Sequence, residues 1–313
     1  MFDMQIAYMI FAYKNPELIK KTIESLSSED CSFYIHIDKK VKMDKFSFIQ
    51  GKNVFFIEKR IPVYWGEYSG VQAIITLIQT AMNAENKHDY FVLLSGSEYI
   101  LQNKEYIQYY FEKNRGVEFI NIVKMPNMDA GKPISRINTW RIQSSRPIIR
   151  FFVKSLARLG LAQRDHKKYL GSLMPYSGNT WWALTRDACQ YILEFERNNR
   201  PFCEYFENTF APEEMFFHTI LGNSEFQGRT NRNVMYEDWS ERGSHPAMIR
   251  QKHIKLFEDN EKVILHDVYG TGEMLFARKL SDDSLDLVER MDDIINKKGP
   301  GVLRFGKKNW GEC

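Results

Sequence analysis

The chain has 313 residues, of which 43% are hydrophobic and 14% aromatic. This is enough for a buried core, and one large α/β domain or two tightly joined halves would both fit. The formal net charge of +3 is close to balance, so the overall charge does not indicate a nucleic-acid partner.

The four cysteines show no paired spacing, which argues against a disulfide scaffold and a zinc site and favours a reduced compartment. The apolar stretch 5–13 is too short to span a bilayer. A soluble, cytoplasmic protein is the expectation.

The first part of the chain predicts a parallel sheet. The continuous apolar run 6–12 indicates a strand covered on both faces, and Asn15 and Pro16 then form the cap and first position of a helix. Further strands are predicted at 32–38 and 54–57. In such β-α-β-β units ligands bind beyond the carboxyl ends of the strands, which places Ala12 and Asp38 in a donor site. For Asp38, capping a turn is an equally good interpretation.

The next strand, 90–94, runs into Ser95-Gly96-Ser97-Glu98. Metal-dependent nucleotide-sugar transferases usually place an Asp-x-Asp pair at such an exit, where two carboxylates hold a divalent ion. Here Glu98 is a single acid, so we expect no essential metal and no cofactor. Glu98 could contact the sugar, or it could be a surface loop acid.

The segment from Arg136 to Lys168 is strongly basic, with Asp165 as its lone acid. Within it, 148–159 alternates basic and apolar residues at roughly helical spacing. Such a helix can lie on an anionic membrane surface, here the cytoplasmic leaflet of the inner membrane, or it can be an insertion that packs on the domain.

Two further stretches carry candidate sugar-binding residues. The stretch 176–184 runs from a loop containing Gly178 into an aromatic strand, where Trp181 could stack on a sugar ring or belong to the core. In 210–221, Pro212 suits the first turn of a helix that Asn208 and Thr209 could cap. Glu213 and Glu214 then lie at a helix N-terminus, where two acids could do chemistry or merely answer the helix dipole.

Near the C-terminus, the adjacent bases Arg278 and Lys279 follow an apolar run and could neutralise a diphosphate in place of a metal. Lone basic pairs are more often solvated surface. From residue 281 the pattern predicts one exposed helix and a mobile end. The predicted division is a single domain at 1–280, with a basic insertion at about 130–170, followed by 281–313.

Seven blocks in register resemble the core-2/I-branching N-acetylglucosaminyltransferase family, which includes the peptide O-xylosyltransferases (glycosyltransferase family 14). They lie at 33–38, 63–73, 94–99, 177–182, 211–214, 236–239 and 275–279. Trp65 lies in the second block. The resemblance implies a GT-A-type fold and an inverting, metal-independent transfer from a UDP-sugar.

In that family the glutamate of the Pro-Asp/Glu-Glu block is the catalytic base, which falls on Glu214, and the lysine of the last block contacts the diphosphate, which falls on Lys279. The acceptor-side tryptophan resembles Trp239, and the nucleotide-reading acid resembles Asp38. Glu213 departs from the family's common aspartate, so the roles of the two glutamates could be exchanged. The second diphosphate-binding base could be Arg250, Lys262 or Arg278.

The leading hypothesis is transfer of N-acetylglucosamine, or else xylose, to a glycan acceptor with a β-linkage. Animal branching enzymes carry a membrane anchor and many disulfides, so their absence fits a bacterial relative acting in surface polysaccharide synthesis. The basic segment adds the hypothesis that the acceptor is carried on a membrane lipid. Two alternatives remain: a GT-A-fold sugar nucleotidyltransferase, and a carbohydrate-binding relative without catalysis.

Overall fold

The computed structural model describes residues 4–141, 163–241, 243 and 245–298. Fourteen strands are found there: β1 (Ile6–Ala12), β2 (Cys31–Ile37), β3 (Val54–Phe56), β4 (Tyr90–Ser95), β5 (Glu98–Ile100), β6 (Glu118–Phe119), β7 (Ile122–Lys124), β8 (Tyr176–Gly178), β9 (Ala183–Thr185), β10 (Thr230–Asn231), β11 (Met235–Glu237), β12 (Val263–Asp267), β13 (Gly270–Met274) and β14 (Phe276–Arg278).

The α-helices of the same ranges are α1 (Pro16–Leu26), α2 (Ser69–Met82), α3 (Lys104–Lys113), α4 (Ser135–Asn138), α5 (His166–Leu170), α6 (Arg186–Asn198), α7 (Arg200–Glu207), α8 (Phe216–Gly222), α9 (Gln251–Asp259) and α10 (Leu285–Lys298). Short 3₁₀ turns occupy Met43–Phe46, Pro212–Glu214, Glu225–Arg229 and Asp282–Ser284. None of these helices is long and apolar enough to cross a membrane.

Seven strands form the central sheet in the order β10-β6-β9-β4-β1-β2-β3. The four strands β4, β1, β2 and β3 are parallel, whereas β9 runs antiparallel to both β4 and β6. A smaller sheet has the order β11-β14-β5, and β12–β13 and β7–β8 form two-stranded ladders. The predicted mixed α/β architecture with a mostly parallel central sheet flanked by helices is confirmed.

Each face of the central sheet carries its own buried cluster because alternate residues of a strand point to opposite faces. Along β1, Tyr8 and Ile10 pack on the side of α1, α3 and α10, while Ala7 and Met9 pack on the side of α2, α6 and α8. Strands covered on both faces need apolar residues at every position, which explains the unbroken run 6–12.

Helix α10 buries Val288, Met291, Ile294 and Ile295 in the first cluster, so it is not the exposed helix predicted from residue 281 onwards. The division at residue 280 stays a prediction. The predicted amphipathic helix at 148–159 and the end of the chain beyond residue 298 lie outside the described residues.

One of two predicted helix caps lies where it was expected, and the other is wrong. Asn15 is the N-cap residue of α1, but its backbone is left-handed (φ 60°) and its side chain makes no capping hydrogen bond, because its amide donates to the carbonyl of Gly96 at 2.6 Å. The predicted helix at Pro212 is a 3₁₀ turn followed by α8, preceded by Ala211 in a left-handed conformation (φ 47°), and neither Asn208 nor Thr209 caps it. Asn15 bonds to Gly96 and the backbone N–H of Ala211 bonds to the carbonyl of Gly66, and a local sequence pattern does not contain these distant partners.

Candidate active site

A cleft of about 1730 Å³ lies at the carboxyl ends of the parallel strands. Its wall includes the predicted donor residues Ala12, Asp38, Arg278 and Lys279. It also includes Glu214 and the predicted sugar-binding residues Trp65, Trp181, Glu213 and Trp239. Residues separated by more than 250 positions in the chain therefore meet at the edge of the sheet where α/β folds bind ligands.

Glu214 is held at this cleft by a rigid local structure. It ends the turn Pro212–Glu214, immediately before the buried helix α8, and the hydroxyl of Ser177 donates to its carbonyl oxygen at 2.9 Å. Its carboxylate oxygen Oε2 accepts hydrogen bonds from Lys132 Nζ at 2.6 Å and from Arg136 Nη2 at 2.7 Å. The side chain is 28% exposed, so Glu214 is fixed by two cations and still open to the cleft.

The neighbouring Glu213 has opposite surroundings. Its Oε2 is buried and has no hydrogen-bond partner among the described residues. Burial, reinforced by the charge of Glu214, raises the pKa of Glu213 to about 7. An uncompensated buried carboxylate is costly, so the raised pKa favours the protonated, neutral form of Glu213 up to about pH 7.

On the donor side, Arg278 and Lys279 differ in their availability. Arg278 forms ion pairs at 2.9 Å with Glu98 and with Glu237, and its guanidinium lies 4.5 Å from the ring centroid of Trp181. For Lys279 Nζ we find no partner among the described residues. Burial, followed by the charges of Arg278 and Lys14, lowers its pKa. Lys279 is thus a half-buried cation that an anionic ligand would stabilise.

Asp38 lies at the end of β2, where its Oδ1 accepts hydrogen bonds from the backbone N–H of Lys40 at 2.9 Å and of Val63 at 3.3 Å. The turn-capping interpretation is therefore observed, and Asp38 also lines the cleft. Contact with a ribose or base stays a prediction.

The tryptophans of the cleft differ in their surroundings. Trp65 is 76% exposed, with its ring 5.3 Å from that of Phe210 in an edge-to-face arrangement. Trp239 is half-exposed and donates from Nε1 to Glu237 at 3.2 Å. Of the adjacent pair, Trp181 reaches the cleft, whereas Trp182 belongs to the core.

The structure corrects the prediction that Glu98 contacts the sugar. Glu98 is 1% exposed and accepts hydrogen bonds from the backbone N–H and hydroxyl of Ser95 in addition to its ion pair with Arg278. Its carboxylate is fully used inside the protein, and it is neither a ligand residue nor a surface acid.

Gly178 also falls outside the cleft wall. A Cβ at this position would lie 1.6 Å from the carbonyl oxygen of Asn121, and the Gly178 carbonyl accepts a hydrogen bond from Lys132 Nζ at 2.8 Å. Its role is therefore to let β7 and β8 approach closely and to position Lys132, not to contact a sugar.

Two of the three candidates for a second diphosphate-binding base do not reach the cleft wall. Arg250 is exposed and pairs with Glu241 at 2.8 Å. Lys262 donates to Tyr106 and pairs with Glu273 at 3.2 Å. Arg278 alone of the three lines the cleft, and it does so already paired with two carboxylates.

Sequence reasoning missed Lys132, which is 7% exposed and contacts Glu214 from 82 positions away. A single lysine in a loop gives no signal of this. Arg136 stands at the start of the basic segment, for which the sequence leaves a membrane surface and a packed insertion as alternatives. Within the described part of the chain, no group of three or more His, Cys, Asp and Glu side chains could hold a metal ion.

Comparison with known proteins adds to this geometry. The family model described as Core-2/I-branching enzyme matches residues 6–261, most of the chain. The chain belongs to the core-2/I-branching enzyme family. The match covers the cleft residues from Phe11 to Pro246 and stops before the later ones, which include Arg278 and Lys279.

Curated relatives of this core-2/I-branching chain include xylosyltransferase 2 of Canis lupus familiaris, which is 24% identical over 253 residues, or 76% of this chain and 27% of the relative. The β-glucuronosyltransferase GlcAT14A of Arabidopsis thaliana is 22% identical over 310 residues, or 92% of this chain and 63% of the relative. The chain thus spans about a quarter of the length of the xylosyltransferase. A solved structure of a putative glucose-1-phosphate thymidylyltransferase from Bacillus anthracis is 13% identical, with a TM-score of 0.30, and covers 62% of this chain and 78% of its own.

Proposed function

We propose that this protein is an inverting glycosyltransferase that moves a sugar from a UDP-sugar to a hydroxyl group of a glycan acceptor. One observation carries the proposal: Glu214 and Lys279 lie on the wall of the same cleft. Glu214 is a fixed carboxylate that is open to the cleft, and Lys279 is a half-buried cation without a partner among the described residues. Family membership and the names of the relatives support a glycosyl transfer.

In this mechanism Glu214 is the general base. One carboxylate oxygen, Oε2, is held by Lys132 and Arg136, which leaves Oε1 for the acceptor. Oε1 takes the proton of the acceptor hydroxyl as that oxygen attacks the anomeric carbon. General-base catalysis of this kind contributes roughly 10²–10⁴-fold to the rate.

The bond between the anomeric carbon and the diphosphate oxygen breaks as the new glycosidic bond forms, and its electron pair leaves with UDP. Lys279 stabilises the charge that develops on the diphosphate, with Arg278 beside it. A single displacement inverts the anomeric carbon, so an α-linked donor gives a β-linked product. In this proposal no divalent ion is needed.

For the donor we propose N-acetylglucosamine first and xylose second. One relative is named xylosyltransferase and another β-glucuronosyltransferase. Glucuronic acid is therefore a third donor sugar to test, beside N-acetylglucosamine and xylose. The exposed rings of Trp65 and Trp239 offer flat apolar faces for the acceptor or donor sugar. A role in bacterial surface polysaccharide synthesis, with a lipid-carried acceptor, belongs to the same proposal.

A thermal-shift panel tests the nucleotide and the donor together. UDP, UDP-N-acetylglucosamine, UDP-xylose and UDP-glucuronic acid are compared with the matching GDP compounds. A ligand at 100 times its Kd stabilises the fold by about 2.7 kcal/mol, so we expect the UDP series to raise the melting temperature and the GDP series to leave it unchanged.

Analysis of the products then distinguishes the reaction types. A transferase releases UDP and a new glycoside, whereas a nucleotidyltransferase makes or consumes pyrophosphate. If no UDP compound shifts the melting temperature, or pyrophosphate is the product, the proposed function is wrong.

A further inference from the structure

Three cationic side chains of the segment 132–141 line the cleft. Lys132 and Arg136 both bind Glu214 Oε2, as described above. The third, Arg141, has its guanidinium 4.1 Å from the ring centroid of Phe210, and no ion pair or hydrogen bond of that guanidinium is found within 4–141 or the other described ranges.

Arg141 has a neighbouring cation and no acidic partner among the described residues. Burial, followed by the nearby charge of Arg136, lowers the pKa of Arg141. The acids Glu67, Asp129 and Glu214 line the same cleft, and Glu214 is already paired with Lys132 and Arg136. An anionic ligand would therefore supply the acidic partner that Arg141 lacks.

This cluster is separate from the cations on the donor side. The charged groups that act on Lys279 are Arg278, Lys14 and Glu98, and none belongs to the cluster. In an in-line displacement the acceptor approaches the anomeric carbon opposite the departing diphosphate. The cations that surround the base are therefore on the acceptor's side.

An aromatic wall adjoins Arg141. Phe210 contacts both the Arg141 guanidinium and Trp65, whose exposed ring is a surface on which a sugar can stack. A guanidinium is planar and presents paired N–H donors that match a carboxylate or a phosphate. The Trp65 ring and the Arg141 guanidinium thus offer a flat apolar face and a group that can bind an acid, both in contact with Phe210.

We propose that Arg141, with Trp65 and Phe210, forms a subsite for an acidic sugar residue of the acceptor, either a uronic acid or a sugar phosphate. Arg141 binds the acidic group and Trp65 stacks on the ring, while Lys132 and Arg136 keep Glu214 in place. This inference rests on the proposed function, since it assigns the acceptor of the same reaction.

The test uses the full-length chain saturated with UDP and isothermal titration with three probes: methyl β-D-glucuronide, glucose 6-phosphate and the neutral methyl β-D-glucoside. We expect at least one acidic probe to bind about tenfold more tightly than the neutral one, because one charge-assisted pair accounts for such a factor. Which acidic probe binds better distinguishes a uronic acid from a sugar phosphate. The preference should shrink as NaCl rises from about 0.05 to about 0.5 M.

Arg141→Gln should reduce the preference to less than about twofold, and Arg141→Lys should keep part of it, because the charge remains but the fork is lost. Arg200→Gln is the matched control, since Arg200 pairs with Glu204 on the surface of α7, away from the cleft. Equal binding of the three probes, no binding of any, or an unchanged preference in Arg141→Gln overturns the acidic subsite. Failure of UDP itself to bind would instead overturn the proposed function and this inference with it.

Discussion

Two adjacent glutamates in the turn before α8 differ in what holds their carboxylates. Glu214 has two cationic partners and an exposed side, whereas the Oε2 atom of Glu213 is buried and has no partner among the described residues. Environments that separate two neighbouring carboxyl groups in this way usually assign them different roles. Both side chains line the cleft, so access alone does not assign the roles. In our proposal Glu214 is the base because two cations hold its carboxylate in place, whereas Glu213 has no such partner and its raised pKa of about 7 favours the protonated form.

Glu214→Gln should lower the turnover of acceptor glycosylation by at least about 100-fold, because the amide cannot accept the proton. UDP affinity should change little, since the substituted group contacts the acceptor hydroxyl. Release of UDP in the presence of acceptor, together with titration of UDP, checks both statements. Glu204→Gln on the surface of α7 is the control, and normal turnover of Glu214→Gln would show that another group is the base.

Glu213 should make stability depend on pH in a defined direction. Its pKa is about 7 in the folded protein against an ordinary value of 4.5, so between these values the folded state binds the proton and the unfolded state does not. The free energy of unfolding therefore falls as pH rises through this interval and is constant above it. The group costs stability at high pH and none at low pH.

Glu213→Gln removes this dependence. Relative to the variant, the native chain should lose about 2 to 3 kcal/mol of unfolding free energy between about pH 5 and pH 8, since one pKa unit corresponds to about 1.4 kcal/mol. Denaturant unfolding of both proteins at the two pH values measures the difference, in which other titrating groups cancel. A difference that does not change with pH would mean that Glu213 ionises as it does in water.

At the scale of elements, the ladder of β7 and β8 connects the core to the site. Gly178 is the last residue of β8 and packs against the backbone of Asn121, the residue before β7. The carbonyl oxygen of Gly178 accepts a hydrogen bond from Lys132 Nζ. The hydroxyl of Ser177 in the same strand holds the backbone of Glu214. One short strand thus positions both the proposed base and a cation that binds it.

Gly178→Ala should be strongly destabilising, because its methyl group would meet the Asn121 carbonyl at 1.6 Å and the backbone itself would have to move. We expect a loss of about 3 kcal/mol or more and a melting temperature several degrees lower. Gly228→Ala is the matched control, since a Cβ there meets nothing within 4 Å. Equal melting temperatures for the two variants would contradict the close approach of β7 and β8.

At the scale of the whole molecule, the donor side brings the exit of β4 together with the C-terminal β14. The acid at that exit, Glu98, is paired with Arg278, from a strand 180 positions further on. A carboxylate used in this way is a poor ligand for a divalent ion, while Lys279 is free of partners among the described residues. We therefore expect cationic side chains to stabilise the departing diphosphate.

Excess EDTA should leave turnover unchanged, while Lys279→Met should lower kcat/KM by roughly 100-fold, the usual effect of removing one group that stabilises developing charge. Lys255→Met on the exposed face of α9 is the control. Loss of activity in EDTA that Mg²⁺ restores would show that a metal ion, and not Lys279, stabilises the departing diphosphate.

The order of elements and the place of the cleft could be predicted from local patterns, because burial on both faces of a parallel strand demands an apolar run and ligands meet such sheets at one edge. Glu214 and Lys279 were assigned through resemblance of short blocks, and both line the cleft.

The electrostatics of the cleft could not be predicted in the same way. Lys132 and Glu214 are 82 positions apart, and no pattern in the sequence between them indicates that they form a hydrogen bond. The ion pair of Glu98 with Arg278 and the close approach of Gly178 to Asn121 also join residues that are far apart in the chain, so local patterns could not predict them. By itself the sequence determined which segments form the parallel strands of the central sheet and which residue types are available for chemistry. Only the tertiary structure decided which charges are paired and which remain open to a ligand, because pairing depends on distances across the fold and not along the chain.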